Sequence, residues 1–444
     1  MYNPIVTQIK EMYPHPKGDN IQLAKMWGSQ VVISKTVQEG DWGIYFPTDG
    51  ELSFEFTKNN NLHRDELLNA DPKVKGFFEK SRRVRTQKFL GENSDGFWIP
   101  LDSLAYLKLS KEALDAIKDN GKPIPEINGI TIAKKYTVIH SKERIPGSPS
   151  PKNDRSMKII SEMFKEHYDT SQLAYNLHKI DESEPLWISE KLHGTSQRAA
   201  RVKVVVQERG RFSSVKNFFA KIVDRLGYAK KEPWILAMGT RRVSFLKMGL
   251  DEIKGTNPFH DPTMREVMHR EVTKMPLKKG EGIFFEVVGF EPSGKPIMPA
   301  ASYKKLGKEF KSFGENVPFS YGCEPKECKA YVYRISMTNE DGDSVDLPFP
   351  IMLQRCEELG LTPVPFLKLI NLQAIKDMRC DDPMDYFEDL AKGVSSLDMR
   401  HLKEGIVVHT LRTAYKHKSF EFKVLEGIIK DSGIADMEEA DGEL

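Results

Sequence analysis

Apolar and polar positions alternate in short bursts over the first hundred residues. The runs IQLAKMWG, SQVVISK, WGIYFP and GFWIPL are each closed by Gly, Pro or Asp or by the next run. That pattern predicts short half-buried strands joined by tight turns, and so a small β-barrel. Residues 102–120 (DSLAYLKLSKEALDAIKDN) carry a helical pattern, with Asp102 or Ser103 as the N-cap. The Pro- and Ser-rich stretch 145–155 reads as a connector, and 156–180 again shows helical spacing.

From residue 185 the pattern changes. PLWISEKLHG is a strand entering a tight turn, and ARVKVVVQE, GIFFEVVGF, KAYVYRISM and EGIVVHT are further apolar strands. Residues 214–229 place Val215, Phe218, Phe219, Ile222, Val223 and Leu226 on one helical face. MLQRCEELGL and QAIKDMRC are short helical stretches. The expected class is α+β in two parts: residues 1–125, then 126–430 with an insertion near 203–236. Residues 431–444, with six acids and no Lys or Arg, read as an acidic tail.

A chain of 444 residues exceeds the size at which one core usually divides. No apolar run is long enough to span a membrane, and the start lacks a signal-peptide order. Four cysteines make no disulfide framework, which points to a reducing cytoplasm. Cys323 and Cys328 have no His partner at zinc spacing and read as ordinary thiols. With 66 basic and 64 acidic side chains, only local charge is informative. Residues 73–88 hold seven Lys or Arg against one Glu, with Phe77 and Phe78 between them. Residues 198–231 hold ten basic groups against two acids. Such clusters suit a phosphate backbone and stacked bases, or a solvated face over buried Phe.

The chemistry centres on Lys191-Leu192-His193-Gly194. Lys-x-x-Gly alone means little, since copies also begin at Lys25, Lys73, Lys88, Lys118, Lys279, Lys304 and Lys311. Only the copy at Lys191 follows an apolar strand and precedes a turn and another strand. A lysine there can face a pocket, and Gly194 leaves room for a phosphate. A free lysine amine is about 0.04% neutral at pH 7. A nucleophilic Lys191 therefore needs cations, a metal ion or desolvation to lower its pKa. Glu286, Glu404 and Lys423 follow, charged groups within apolar, strand-like runs.

In that order these segments resemble the covalent nucleotidyltransferase superfamily of ligases and RNA capping enzymes. EKLHGT (190–195) resembles its nucleophile motif, which implies Lys191 as the adenylated residue, with Glu190 and Gly194 beside the nucleotide. GTRRVSF (239–245) looks like the motif with a ribose-contacting arginine, here Arg241 or Arg242, although Arg209 or Arg211 lies nearer Lys191. FFEVVG is similar to the strand that sets a glutamate, Glu286, near ribose, lysine and metal. KAYVYRISM resembles the strand whose aromatic, Tyr333, stacks on adenine. KEGIVV implies Glu404 as a metal-holding glutamate, and SFEFKVL implies Lys423 at the α-phosphate. The last motif often has paired lysines, and Lys416 or Lys418 could supply the second.

His193 stands where DNA ligases and capping enzymes usually carry Asp, which brings the resemblance closer to RNA ligases. Residues 14–52 look like an OB-fold of the tRNA-binding type. Residues 81–104 are similar to the stretch after it in an RNA ligase family that places an OB-like domain first. The implied fold is an OB-like barrel followed by an ATP-grasp-like nucleotidyltransferase domain of antiparallel sheets and helices. The implied cofactors are ATP and Mg2+ or Mn2+. The implied partner is RNA or an RNA/DNA duplex with a nick, held by Arg82, Arg83, Arg85 and Lys88 of a monomeric enzyme. The alternatives are a DNA ligase, a capping-type enzyme, and a non-catalytic RNA- or tRNA-binding protein. Residues 320–400 receive no role.

Overall fold

The computed structural model describes residues 2–137, 157–160, 162–203, 205–208, 234–241, 275–378 and 382–431. The helix expected over 214–229, Arg209, Arg211, Arg242 and the tail beyond 431 lie outside the described residues.

The apolar runs of the first hundred residues are strands. Ile21–Met26 lies between Glu11–Pro14 and Ser29–Ser34, and Trp42–Phe46 lies between Ile5–Gln8 and Phe97–Pro100. Thr86–Phe89 and Glu92–Asp95 form a hairpin. These are separate antiparallel sheets of two or three strands, and among the described residues they do not close into one hydrogen-bonded barrel. Phe46, Leu52, Phe56 and Leu104 fill the cluster beneath them. Ile124, Ile127, Ile132 and Ala133 belong to the same cluster, and Ala133–Lys135 pairs with Gly50–Leu52. The N-terminal core thus continues past residue 125.

Two helical expectations are corrected. Residues 102–120 divide into a 3-10 turn, Leu101–Leu107, and a short α-helix, Lys111–Ala116. Lys108 sits at φ 51° and ends the first turn. Ser110, not Asp102 or Ser103, caps the helix by accepting the Ala113 N–H. The described part of 156–180 holds no α-helix. Ser171–Gln172 instead joins the edge of a sheet, parallel to Ala414–Lys418.

The larger part is built on two five-stranded sheets. One runs in the order Ser171–Gln172, Ala414–Lys418, Gly405–His409, Leu186–Lys191, Phe366–Ile370. The other runs Trp234–Thr240, Thr195–Lys203, Glu281–Gly289, Cys328–Thr338, Ser344–Asp346. The chain passes from the first sheet to the second through Leu192, His193 and Gly194. The second sheet's apolar side shares a core with Phe349, Met352 and Cys356 of the Phe349–Leu359 helix. The first packs against Leu372 and Ile375 of one helix and Met384 and Phe387 of the next. Cys323, Cys328 and Cys356 are free thiols.

Lys423 departs from its expected strand. SFEFKVL opens the α-helix Phe420–Asp431, with Ser419 accepting the Phe422 N–H. There the Lys423 amine lies 2.5 Å from Asp95 Oδ2 of the N-terminal region, 328 positions away. Asp95 also accepts from Ser29 Oγ at 3.0 Å and Thr86 Oγ1 at 2.8 Å. Burial raises its pKa, but Lys423 and these donors outweigh burial and hold it below the usual range.

Arg83 is buried too, and was expected on an open surface. It donates to Gly427 O at 3.2 Å and Asp49 Oδ1 at 2.9 Å, and lies over the Tyr136 ring. Arg82 pairs with Glu51 and donates to Leu52 O. Removing one partner of a buried pair strands the other charge, so Asp95→Ala should cost about 3–5 kcal/mol in denaturant melts. A midpoint unchanged from wild type would show that this pair does not hold the two parts together.

Candidate functional site

A cleft opens between the two sheets, about 1180 Å³ counting space open to solvent. Strand geometry dictates who faces it. Side chains alternate, so from Lys191 the next residue on the same face is Ser189. In the neighbouring strands Ser189 pairs with Val407 and Val407 with Lys416. All four line the cleft, while Ile406 and Val408 point into the core. From the opposite sheet come Ser196 and Glu286, cross-strand partners whose side chains meet at 2.8 Å. Tyr333 reaches the cleft by a different device. Phe284 pairs with Arg334 but Phe285 with Val332, so Tyr333 is the extra residue of a β-bulge. A bulge re-aims a side chain. The Tyr333 hydroxyl lies 3.4 Å from Ser196 Oγ, and its ring lies beside His167.

At one end, Lys191 Nζ is 2.8 Å from Glu404 Oε1. The same oxygen is 3.0 Å from Lys418 Nζ. Register explains the meeting, because Lys191 and Lys418 both pair with Gly405 from opposite sides. An added Cβ at Gly405 would lie 2.1 Å from the His417 carbonyl oxygen, so only glycine lets these strands close. Glu404 and Lys418 stand behind Lys191 and do not line the cleft themselves.

Burial works against charge on Lys191, but Glu404 outweighs it and the amine is held above its ordinary pKa. Glu404 is correspondingly depressed by Lys191 and Lys418, against the effect of burial. The amine expected to be lowered is thus raised in this state. The lysine that is lowered is Lys416, to about 8, by burial and then by the charges of Lys191 and Lys418.

His193 sits edge-on between Phe319 and Phe422, 3.9 Å from Glu404 Oε2. Burial pushes its pKa down to about 4, so the ring is neutral. Its backbone N–H donates to the Tyr321 hydroxyl at 2.6 Å.

Two motif residues do something other than expected. Glu190 lines the cleft, but its carboxylate turns away from Lys191, as alternation requires, and accepts from Ser396 N at 2.8 Å and Ser396 Oγ at 2.6 Å. At Gly194 the space of a Cβ is already filled, with the Val287 carbonyl oxygen at 2.4 Å. This glycine permits close packing against Glu281–Gly289 instead of leaving a phosphate berth. Arg241 does line the cleft and pairs with Asp169. Lys423 does not line it.

Residues 320–400 build much of the wall through Tyr333, Arg334, Asp346, Leu347, Phe349 and Met352. Ser189, Ser196 and His409 were missed, though counting by twos from Lys191 or Val407 reaches Ser189 and His409. Ser189 Oγ and His409 Nε2 are 2.8 Å apart, and burial lowers the His409 pKa to about 3. His167, Tyr168, Asp169 and Thr170 also line the cleft, and nothing in the pattern of 156–180 announced them.

Two facing, largely antiparallel sheets carry a lysine at the lip of one and a glutamate across from it. This fold matches solved structures of the Naegleria gruberi RNA ligase. The form with PPi is 15% identical, with a TM-score of 0.55 over 97% of this chain and 98% of that one. A mutant with ATP and Mn is 15% identical, with a TM-score of 0.54 over 95% and 98%. A mutant with AMP and Mn is 14% identical, with a TM-score of 0.52 over 95% and 98%. No family model and no curated protein sequence matches the chain.

A methyl group at residue 194 must push the Val287 strand aside. Gly194→Ala should therefore lower stability by about 1–3 kcal/mol in thermal melts. A wild-type melting temperature would mean the turn has slack that its backbone contacts deny.

Proposed function

We propose that this chain is an ATP-dependent RNA ligase that works through a lysine–AMP intermediate on Lys191. The observation that carries the reading is one cleft where Lys191 and Lys416 of one sheet face Glu286 of the other, with Glu404 and Lys418 directly behind Lys191. Full-length likeness to a ligase solved with ATP, AMP and Mn supports the same reading.

In the first step Lys191 Nζ attacks the ATP α-phosphorus. An N–P bond forms, the bond to the bridging oxygen breaks, and pyrophosphate leaves. AMP then passes to an RNA 5′-phosphate, and a 3′-hydroxyl displaces it to seal the strand. Lys191 must shed a proton before attack. The charges of Lys416 and Lys418 favour that loss, and Glu404 opposes it while holding the amine in place. Lys416, on the strand and lining the cleft, takes the phosphate-contacting role that the resemblance gave to Lys423. On this reading Tyr333 and Val407, which line the cleft from opposite sheets, sandwich the adenine, and Arg241 meets the ribose.

The donor set suits a hard divalent cation. Glu286 and Glu404 offer oxygens, and among the described residues Glu404 Oε2 accepts no hydrogen bond. No cluster of three or more His, Cys, Asp or Glu side chains gathers among the described residues. Phosphates and water would complete the shell, as is usual for magnesium. Bound there, Mg2+ or Mn2+ would neutralise phosphate charge.

The N-terminal region reads as an opened OB-like domain that grips nucleic acid. In support, Ser29–Ser34 lies along Glu92–Asp95, with Val32 N–H donating to Ser94 Oγ. Arg82 and Arg83 are engaged internally, so the contact surface moves to exposed Lys73, Lys75, Lys80 and Lys88 beside Phe77, with Arg85 at its border. Among the described residues no helix is long and apolar enough to cross a membrane.

Mass spectrometry after incubation with ATP and Mg2+ should find AMP on the Lys191 peptide. Lys191→Ala should take no label, and GTP should not substitute. Label on Lys416 would relocate the nucleophile. A preference for DNA 3′-hydroxyl ends would make the enzyme a DNA ligase.

Lys416 carries charge below pH about 8 and loses it above. Binding of a non-hydrolysable ATP analogue should weaken as pH rises through that value, and Lys416→Arg should flatten the curve. A wild-type curve level from pH 7 to 9.5 would exclude Lys416 from phosphate binding.

A further inference from the structure

Glu404 Oε1 accepts from two amines, and one oxygen shared by Lys191 and Lys418 leaves each poorly fixed. A lysine stem is flexible, and a single contact does not hold its amine in one place. Lys418 has a second anchor. Its amine lies 2.8 Å from Glu426 Oε2, on the Phe420–Asp431 helix. Both side chains are well covered, at 20% and 12% exposure.

The helix is itself held. It begins two residues after the Lys418 strand ends, with the Ser419 N–H donating to Glu404 O at 3.2 Å. One turn before Glu426, Lys423 pairs with Asp95. At the next residue, the Gly427 carbonyl accepts from Arg83. Lys423, Glu426 and Gly427 lie at helical spacings of three and four, so they share a face. The N-terminal region therefore fixes the turn that carries Glu426, and Glu426 fixes Lys418.

We propose that Glu426 is a positioning residue: it holds Lys418 in place so that Glu404 remains with Lys191, and the N-terminal region sets where Glu426 stands. This rests on the adenylyl-transfer reading. Without Glu426, Lys418 either leaves the site or claims Glu404 from Lys191. Either event disorders the reacting amine without touching the surfaces offered to the base. Misplacement on an ångström scale costs rate more than affinity, on the order of 10- to 100-fold.

The test is the single-turnover rate of AMP transfer to the full-length enzyme, with no nucleic acid present. Glu426→Gln, nearly the same shape, should fold normally and lose about 10- to 100-fold in maximal rate. Its affinity for a non-hydrolysable ATP analogue should change less than about 3-fold, since the base and ribose contacts remain. Lys418→Ala and the double variant Lys418→Ala, Glu426→Gln should be equally slow, because Glu426 acts on the rate through Lys418. A wild-type rate for Glu426→Gln, or losses that multiply in the double variant, would overturn the inference. Both cases presuppose that wild type labels and Lys191→Ala does not. If wild type takes no label, the ligase reading falls and this inference with it.

Discussion

Everything at the centre of this molecule turns on one buried carboxylate receiving two ammonium groups. Glu404 is 3% exposed, and its Oε1 sits between Lys191 and Lys418. A carboxylate stripped of water is costly unless it is paired and hydrogen-bonded. Here three adjacent strands exist in the register that pairs it. Gly405 carries no side chain because the His417 carbonyl occupies that space, and the strand of Lys418 can therefore lie close enough. The requirement to satisfy one charge ties together the register of these strands and the position of the Lys191 amine.

The same arrangement favours the charged form of Lys191, because Glu404 raises its pKa against the effect of burial. The neutral His193 ring beside Glu404 adds no second negative charge. The amine thus faces one opposing carboxylate behind it, Glu286 across the cleft, and two cations along its own sheet. The balance is close, and a change at a single group can tip it.

Much of this was legible in the sequence. Lys191, Glu286, Glu404 and Tyr333 were named from context and order along the chain, and the structure sets Lys191, Glu286 and Tyr333 on one cleft with Glu404 behind Lys191. Ser189 and His409 were within reach of the same period-two count. Other features were not legible for physical reasons. A bulge at Tyr333 alters no residue type, so its consequence for aim is invisible in the pattern. Lys423 was read as a strand residue because SFEFKVL alternates, whereas tertiary contacts with Asp95 and Arg83 favour a helix. Arg82 and Arg83 looked like surface charge because their acidic partners, Glu51 and Asp49, lie more than thirty positions away. Gly194 and Glu190 matched a motif, yet each answers to its neighbours in the fold, Val287 and Ser396.

The clasp between Asp95 and Lys423 spans 328 of the chain's 444 positions, and this bears on how the molecule comes to be. During synthesis the first hundred residues leave the ribosome long before the helix that completes them. Until then Asp95 has only hydroxyl donors, and Arg83 lacks the Gly427 carbonyl. Closing so long a loop is entropically demanding, and the contacts that reward it come last. The contacts that Asp95 and Arg83 make with the last helix therefore form only after that helix has been made.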